Sequence, residues 1–235
     1  MNRSMGKRVV NEELHDNSLA PDELHADSAS KQRSFYDLAN AEERKWQVLV
    51  RSLFPSKGAR RLIGICSLNG AESTNALAAN LSLNAAKYLG TPVLIVEAHR
   101  SQSSLAESLG AVSTPGLGDL LMPPAEEAYQ CIHRTRYSKL WIMPSGRELP
   151  ISNHGQLDVY YRRLYGMLPP VFHNIVVALP PINSAAYIEF PCSTLDRIVL
   201  TVRPDSVASR SLRKVIDRLS AANATVAGVI WVNGQ

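Results

Sequence analysis

From Arg61 onward the chain repeats one alternation: a short run of Val, Ile and Leu, then an amphipathic stretch of helical period. The apolar runs fall at 61–67, 93–97, 139–143, 174–179, 197–203 and 226–232. Several are apolar at every position, the pattern of strands buried on both faces of a central parallel sheet. Helices are predicted between them, near 74–89, 101–109, 124–133, 155–168 and 207–222. Strands alternating with helices of this length imply a doubly wound α/β fold, a mostly parallel sheet of about six to eight strands with helices on both faces. A further helix is expected over about 39–54, where Trp46, Leu49, Val50 and Leu53 form one apolar face and Pro55 ends it. Residues 1–35 mix charges with Asn, Ser, Asp and Pro and lack periodicity, so they read as a mobile tail. The expected organisation is a tail over 1–35, an N-terminal helix and linker over 36–58, and one α/β domain over 59–235.

Composition narrows the function classes. The chain has 235 residues, 45% hydrophobic and 20% charged, with a net charge of +4. That excess is too mild to demand nucleic acid, and no nucleic-acid motif accompanies it. Cys66, Cys131 and Cys192 are far apart and odd in number, which argues against a disulfide framework or a structural zinc. The six histidines lack metal-binding spacing, so no metal site is expected. The N-terminus has no long apolar core and no run is long enough to cross a bilayer, which points to a cytoplasmic chain. Lys57, Arg60 and Arg61 form a basic group that reads as a solvated linker. Tyr160, Tyr161 and Tyr165 read as a packed helical face, with Arg162 and Arg163 turned to solvent.

The first strand runs straight into Ser67-Leu68-Asn69-Gly70-Ala71-Glu72-Ser73-Thr74, and a helix follows. Strand, polar loop and helix are the setting of a phosphate-binding loop. Such a loop needs glycines that turn backbone N–H groups toward phosphate, a lysine that neutralises it, and a Ser or Thr that holds Mg²⁺. Gly70, Ser73 and Thr74 are of the right type. Ala71 stands where a glycine allows close approach, and Glu72 stands at the lysine position. Unit charges about 4 Å apart at an effective dielectric near 20 interact by about 4 kcal/mol, so the reversal turns attraction into repulsion of that order. A second reading of the same residues is a polar turn that caps the helix, with Ser73 or Thr74 near its start.

Further segments follow in a telling order: Gly-Thr-Pro-Val-Leu-Ile-Val-Glu97-Ala98-His99-Arg100, then Ser-Thr-Pro-Gly-Leu-Gly-Asp-Leu-Leu from Ser113, then Met143-Pro144-Ser145-Gly146. After these come Asn174-Ile175-Val176-Val177-Ala178-Leu179-Pro180-Pro181, Thr201-Val202-Arg203 and Gly228-Val229-Ile230-Trp231-Val232-Asn233. Taken together over about 61–233, the chain resembles the cytoplasmic ATPase domain of the bacterial tyrosine kinases of polysaccharide export, within the deviant P-loop group that includes MinD and ParA. The resemblance implies a nucleotide site at Gly70, Ala71, Glu72, Ser73, Thr74, Glu97, His99, Ala178, Arg203 and Asn233. At these positions the family's lysine is Glu72, its Asp-Ala-Asp is Glu97-Ala98-His99, and its later Walker B aspartate is Ala178. Glu97 keeps a carboxylate that could still reach a metal. Phosphoryl transfer rests on positioning and charge stabilisation, so losing cation, base and metal partner together should remove catalysis.

The resemblance therefore implies a degenerate member with no catalytic residue and no cofactor, residual ATP–Mg²⁺ binding being left open. Its implied partner is a membrane polysaccharide co-polymerase or export protein, with peripheral placement at the inner membrane through that partner. Homo-oligomer formation is left open. The family's Glu-x-x-Arg-x-x-Arg helix has only a loose echo in Glu42, Glu43, Arg44 and Arg51, and its C-terminal tyrosine cluster has no counterpart before Gln235. Two alternatives remain at this point: an atypical active ATPase or tyrosine kinase of the family, and a ParA- or MinD-like positioning factor.

Overall fold

The structure is a computed structural model that describes residues 43–54, 60–68, 70–99, 104–122, 124–148, 164–182, 194–203 and 209–232. Its strands are β1 (Arg61–Ser67), β2 (Val93–Glu97), β3 (His133–Arg134), β4 (Leu140–Met143), β5 (Asn174–Ala178), β6 (Arg197–Val202) and β7 (Val226–Trp231). They form one 7-stranded sheet in the order β3-β4-β2-β5-β1-β6-β7. Every pairing is parallel except β3 with β4. The helices are α1 (Glu43–Leu53), α2 (Ala71–Leu89), α3 (Leu105–Ser108), α4 (Leu117–Leu121) and α5 (Ser209–Ala221), with a further helical turn over 164–167.

Alternation along the strands builds two cores. Ile63 and Ile65 of β1 and Val93 and Ile95 of β2 turn to the face covered by α1, α2 and α3. Leu62, Cys66, Leu94 and Val96 turn to the other, covered by α4, α5 and the segment 164–168. Both faces are dry, which is why these strands read as unbroken apolar runs. Val50 and Leu53 of α1 are buried, and Trp46 and Leu49 pack beside them, so the apolar face expected for this helix is the one that docks.

The six predicted strands lie within a residue or so of those observed. β4 starts one residue late because Lys139 has a left-handed φ of 63°. The helix expected over 124–133 does not form. Instead Glu126 N–H bonds Asp119 O at 2.9 Å, a turn follows at 128–131, and His133–Arg134 pairs with β4. Tertiary ties to α4 and to the sheet edge override the helical propensity of Ala-Glu-Glu-Ala. The basic group is not a solvated linker where it is described. Arg60 donates to the carbonyls of Tyr165, Leu168 and Pro169 at 2.9–3.0 Å, and Arg61 pairs with Asp196 at 3.3 Å. Tyr165 packs against the core, as expected of a packed helical face. The tail over 1–35, Glu42, Lys57, Tyr160, Tyr161, Arg162, Arg163 and Cys192 lie outside the described residues.

Candidate functional site

In an open parallel α/β sheet, ligands bind beyond the carboxyl ends of the strands. Here that edge carries the ends of β1, β2, β5 and β6, and the register sets Glu97 of β2 opposite Ala178 of β5, with Ile65 of β1 opposite Ala178 on its other side. The fold thus gathers the end of β1, Glu97, His99, Ala178 and Arg203 along one edge of the sheet.

The connection from β1 to α2 is short. β1 ends at Ser67 and α2 begins at Ala71, so positions 68, 69 and 70 make the whole link. A phosphate loop of the Gly-x-x-x-x-Gly-Lys type has four residues between its glycines alone. Leu68 N–H is already bound to Thr201 O at 3.0 Å. Gly70 is the N-cap, with φ 139° and ψ 156° and no side-chain cap. That backbone region is essentially closed to residues with a Cβ, and a Cβ there would meet nothing within 4 Å, so conformation rather than crowding calls for glycine. Ser73 and Thr74 are the third and fourth residues of α2, both buried, and neither caps it. Ser73 and Thr74 thus lie near the helix start, as the polar-turn alternative has them, while Gly70 occupies the cap position. Thr74 Oγ1 is buried without a hydrogen-bond partner. The backbone of Ala71 and Glu72 opens α2, while their side chains, and all of Asn233, lie outside the described residues.

Glu97 is buried at the end of β2. Its Oε1 accepts from Leu105 N–H at 2.9 Å and its Oε2 from Ser145 N–H at 3.2 Å. The carboxylate therefore ties the start of α3 and the loop after β4 to the end of β2. Burial pushes its pKa above the ordinary glutamate range, and the two N–H donors oppose that push. Two residues on, His99 Nδ1 lies 3.2 Å from Ala178 O, which also accepts from Ala98 N–H at 2.9 Å. A carbonyl can only accept, so Nδ1 carries the proton. Burial lowers the ring's pKa against the smaller opposing effect of that bond, which leaves the imidazole neutral near pH 7. Its Nε2 is buried without a partner. Arg203 follows the end of β6 and is half-buried.

A second carboxylate organises the same loops, and the sequence reading did not single it out. Asp119 of α4 accepts from Gly116 N–H at 2.8 Å, Arg147 N–H at 3.1 Å and Arg147 Nε at 2.6 Å. Arg147 reaches on to Met122 O and Pro124 O at 3.1 and 2.9 Å. Burial would raise the Asp119 pKa, but the N–H groups of Gly116 and Arg147 and the guanidinium hold it below the usual aspartate value. Gly116 is needed here because a Cβ would run into the Pro144 carbonyl, whose oxygen accepts from Leu117 N–H at 2.8 Å. The only sequence signal was the Gly116-x-x-Asp119 spacing, half of a capping box.

A Mg²⁺-nucleotide needs free carboxylate or hydroxyl oxygens for the metal and a ring of backbone N–H groups for phosphate. Thr74 Oγ1 is left without a partner, but both oxygens of Glu97 are taken by backbone donors, His99 offers no carboxylate, Ala178 offers a methyl, and the β1–α2 link is three residues long. These residues do not fit that group. Among the described residues, no cluster of three His, Cys, Asp or Glu side chains is placed to hold a metal, and no helix is long and apolar enough to cross a membrane.

No family model matches the chain. It is 21% identical over 171 residues to the tyrosine-protein kinase CpsD of Streptococcus agalactiae, covering 72% of this chain and 74% of that one. Its fold matches the kinase domain of the Escherichia coli tyrosine kinase ETK with a TM-score of 0.66 at 15% identity, over 80% of this chain and 72% of that one. It also matches the Pyrococcus furiosus cell division ATPase MinD with a TM-score of 0.57 at 20% identity, over 73% and 71% of the two chains. The chain is thus similar to bacterial tyrosine kinases and carries the P-loop NTPase fold that they share with MinD.

Proposed function

We propose that this chain is a non-catalytic relative of the bacterial tyrosine kinases, acting in polysaccharide synthesis and export by binding a membrane co-polymerase or export protein from the cytoplasmic side. The observation that carries the reading is Glu97. The one carboxylate left at the metal-handling positions spends both oxygens on the backbone N–H groups of Leu105 and Ser145. The neutral His99 beside Ala178 and the short β1–α2 link point the same way. Similarity to CpsD and to the ETK kinase domain supports placement in a kinase-containing system, where a member without turnover would work through its surface. Residual ATP–Mg²⁺ binding is not part of this proposal.

The test pairs calorimetric titration of Mg²⁺-ATP with a turnover assay and a pull-down from detergent-solubilised membranes of the source cell. The expected result is no binding heat, no ADP release and co-purification of a polysaccharide co-polymerase or exporter. Micromolar binding with hydrolysis would overturn the non-catalytic reading. A pull-down that recovers no membrane protein of polysaccharide export would overturn the docking role.

A further inference from the structure

Of the four tyrosines among the described residues, three have engaged or enclosed rings. Tyr88 bonds Glu43 through its hydroxyl, Tyr137 packs against the α1–α2 core, and the Tyr165 hydroxyl is buried. Tyr129 differs, with 65% of its surface exposed. It is the third residue of a β-turn closed by Gln130 N–H to Glu127 O at 2.9 Å, which puts it at the apex. The flanking residues 124–127 and 130 are exposed as well, with no helix or strand among the described residues between the end of α4 and β3. Ala128 turns back to the core, as do Cys131 and Ile132 just before β3. Glu126 and Glu127 stand three and two positions before the tyrosine.

We propose that Tyr129 is a phosphoryl-acceptor site for a separate, catalytically competent tyrosine kinase. Phosphoryl transfer needs the acceptor hydroxyl in line with the transferring phosphorus inside another protein's cleft, which only an exposed, protruding segment can reach. In the transfer, the Tyr129 oxygen bonds to the γ-phosphorus of a nucleoside triphosphate held by the kinase. The bond from that phosphorus to the bridging oxygen breaks, the nucleoside diphosphate leaves, and the phenolic proton passes to the kinase's base. The two carboxylates give the segment a negative approach that cationic groups around such a cleft would recognise. Because the phosphoryl group comes from another chain, this site does not rest on whether the present chain turns over nucleotide.

The test uses the full chain purified from its own cells, harvested while phosphotyrosine is detectable in the lysate. Trypsin releases residues 101–134 as one peptide in which Tyr129 is the sole tyrosine, and fragmentation mass spectrometry locates any phosphoryl group on it. The expected result is phosphotyrosine at 129, lost in Tyr129→Phe with an unchanged unfolding midpoint. A wholly unmodified peptide, or phosphate confined to other tyrosines, overturns the proposal. Labelling of the isolated chain by Mg²⁺-ATP alone would overturn the non-catalytic reading instead, so the two failures are distinguishable.

Discussion

Replacing Glu97 by alanine separates a structural tie from a metal ligand. The substitution strips acceptors from two N–H groups, those of Leu105 and Ser145, at 2.9 and 3.2 Å. A buried donor left unpaired costs about 1–3 kcal/mol. Relief of the buried charge returns part of this, since burial already disfavours the ionised carboxylate. The expected net loss is about 2–4 kcal/mol, on the order of 5–15 °C in melting temperature for a chain of this size. Urea denaturation checks it directly through the midpoint at constant slope. Glu97→Gln keeps one acceptor but aims an amide donor at the second N–H, so it should fall between wild type and alanine. The pH dependence has a definite sign. A carboxyl whose folded pKa is raised contributes stability that is full below its unfolded pKa and is lost as pH rises through the folded value. Wild type should therefore lose stability across that window, and Glu97→Gln should not. A loss below about 1 kcal/mol in Glu97→Ala would refute the reasoning. So would Mg²⁺ stabilising wild type but neither variant, since ligand that binds only the native state raises its stability.

Two further outcomes follow from the same loops. Asp119→Asn should cost about 1.5–3 kcal/mol by weakening charge-assisted bonds from Gly116 and Arg147. Because the Asp119 pKa is lowered, its contribution is present above the unfolded aspartate pKa and lost as pH falls through the folded value; acid titration of wild type and variant checks this. Glu72→Lys combined with His99→Asp restores two charges and should still give no turnover above buffer, because the β1–α2 link at 68–70 stays short. ADP release from that folded double variant would contradict the loop-length argument.

The sheet was legible because β1, β2, β5 and β6 are buried on both faces, and a strand in that setting has little choice but Val, Ile and Leu. β3 was not, since His133 and Arg134 are polar and pair only because β4 offers an edge. The same holds for 124–133, whose helical composition yields to the bond that Glu126 N–H donates to Asp119 O and the one that Arg147 donates to Pro124 O, which no local pattern announces. At the site, the types at 72, 97, 99 and 178 were readable, and so was the loss of charge they entail. Two facts needed geometry: that α2 begins at Ala71 rather than near 74, and that Glu97 faces two backbone donors.

The paired ties of Glu97 and Asp119 hold the segments around 105, 116 and 145–147 in place using only the chain's own groups. In nucleotide switches such segments are ordered by γ-phosphate and metal and released on hydrolysis. Here the fastening comes from the chain's own carboxylates and backbone N–H groups, so under the proposed non-catalytic function a partner meeting this edge would encounter one shape whatever the level of ATP. Under that proposal, occupancy of the partner would be set by mass action, through how much of the chain the cell makes. Control would then pass from chemistry at the site to gene dosage: doubling the chain would change the fraction of partner engaged, while draining ATP would leave it untouched.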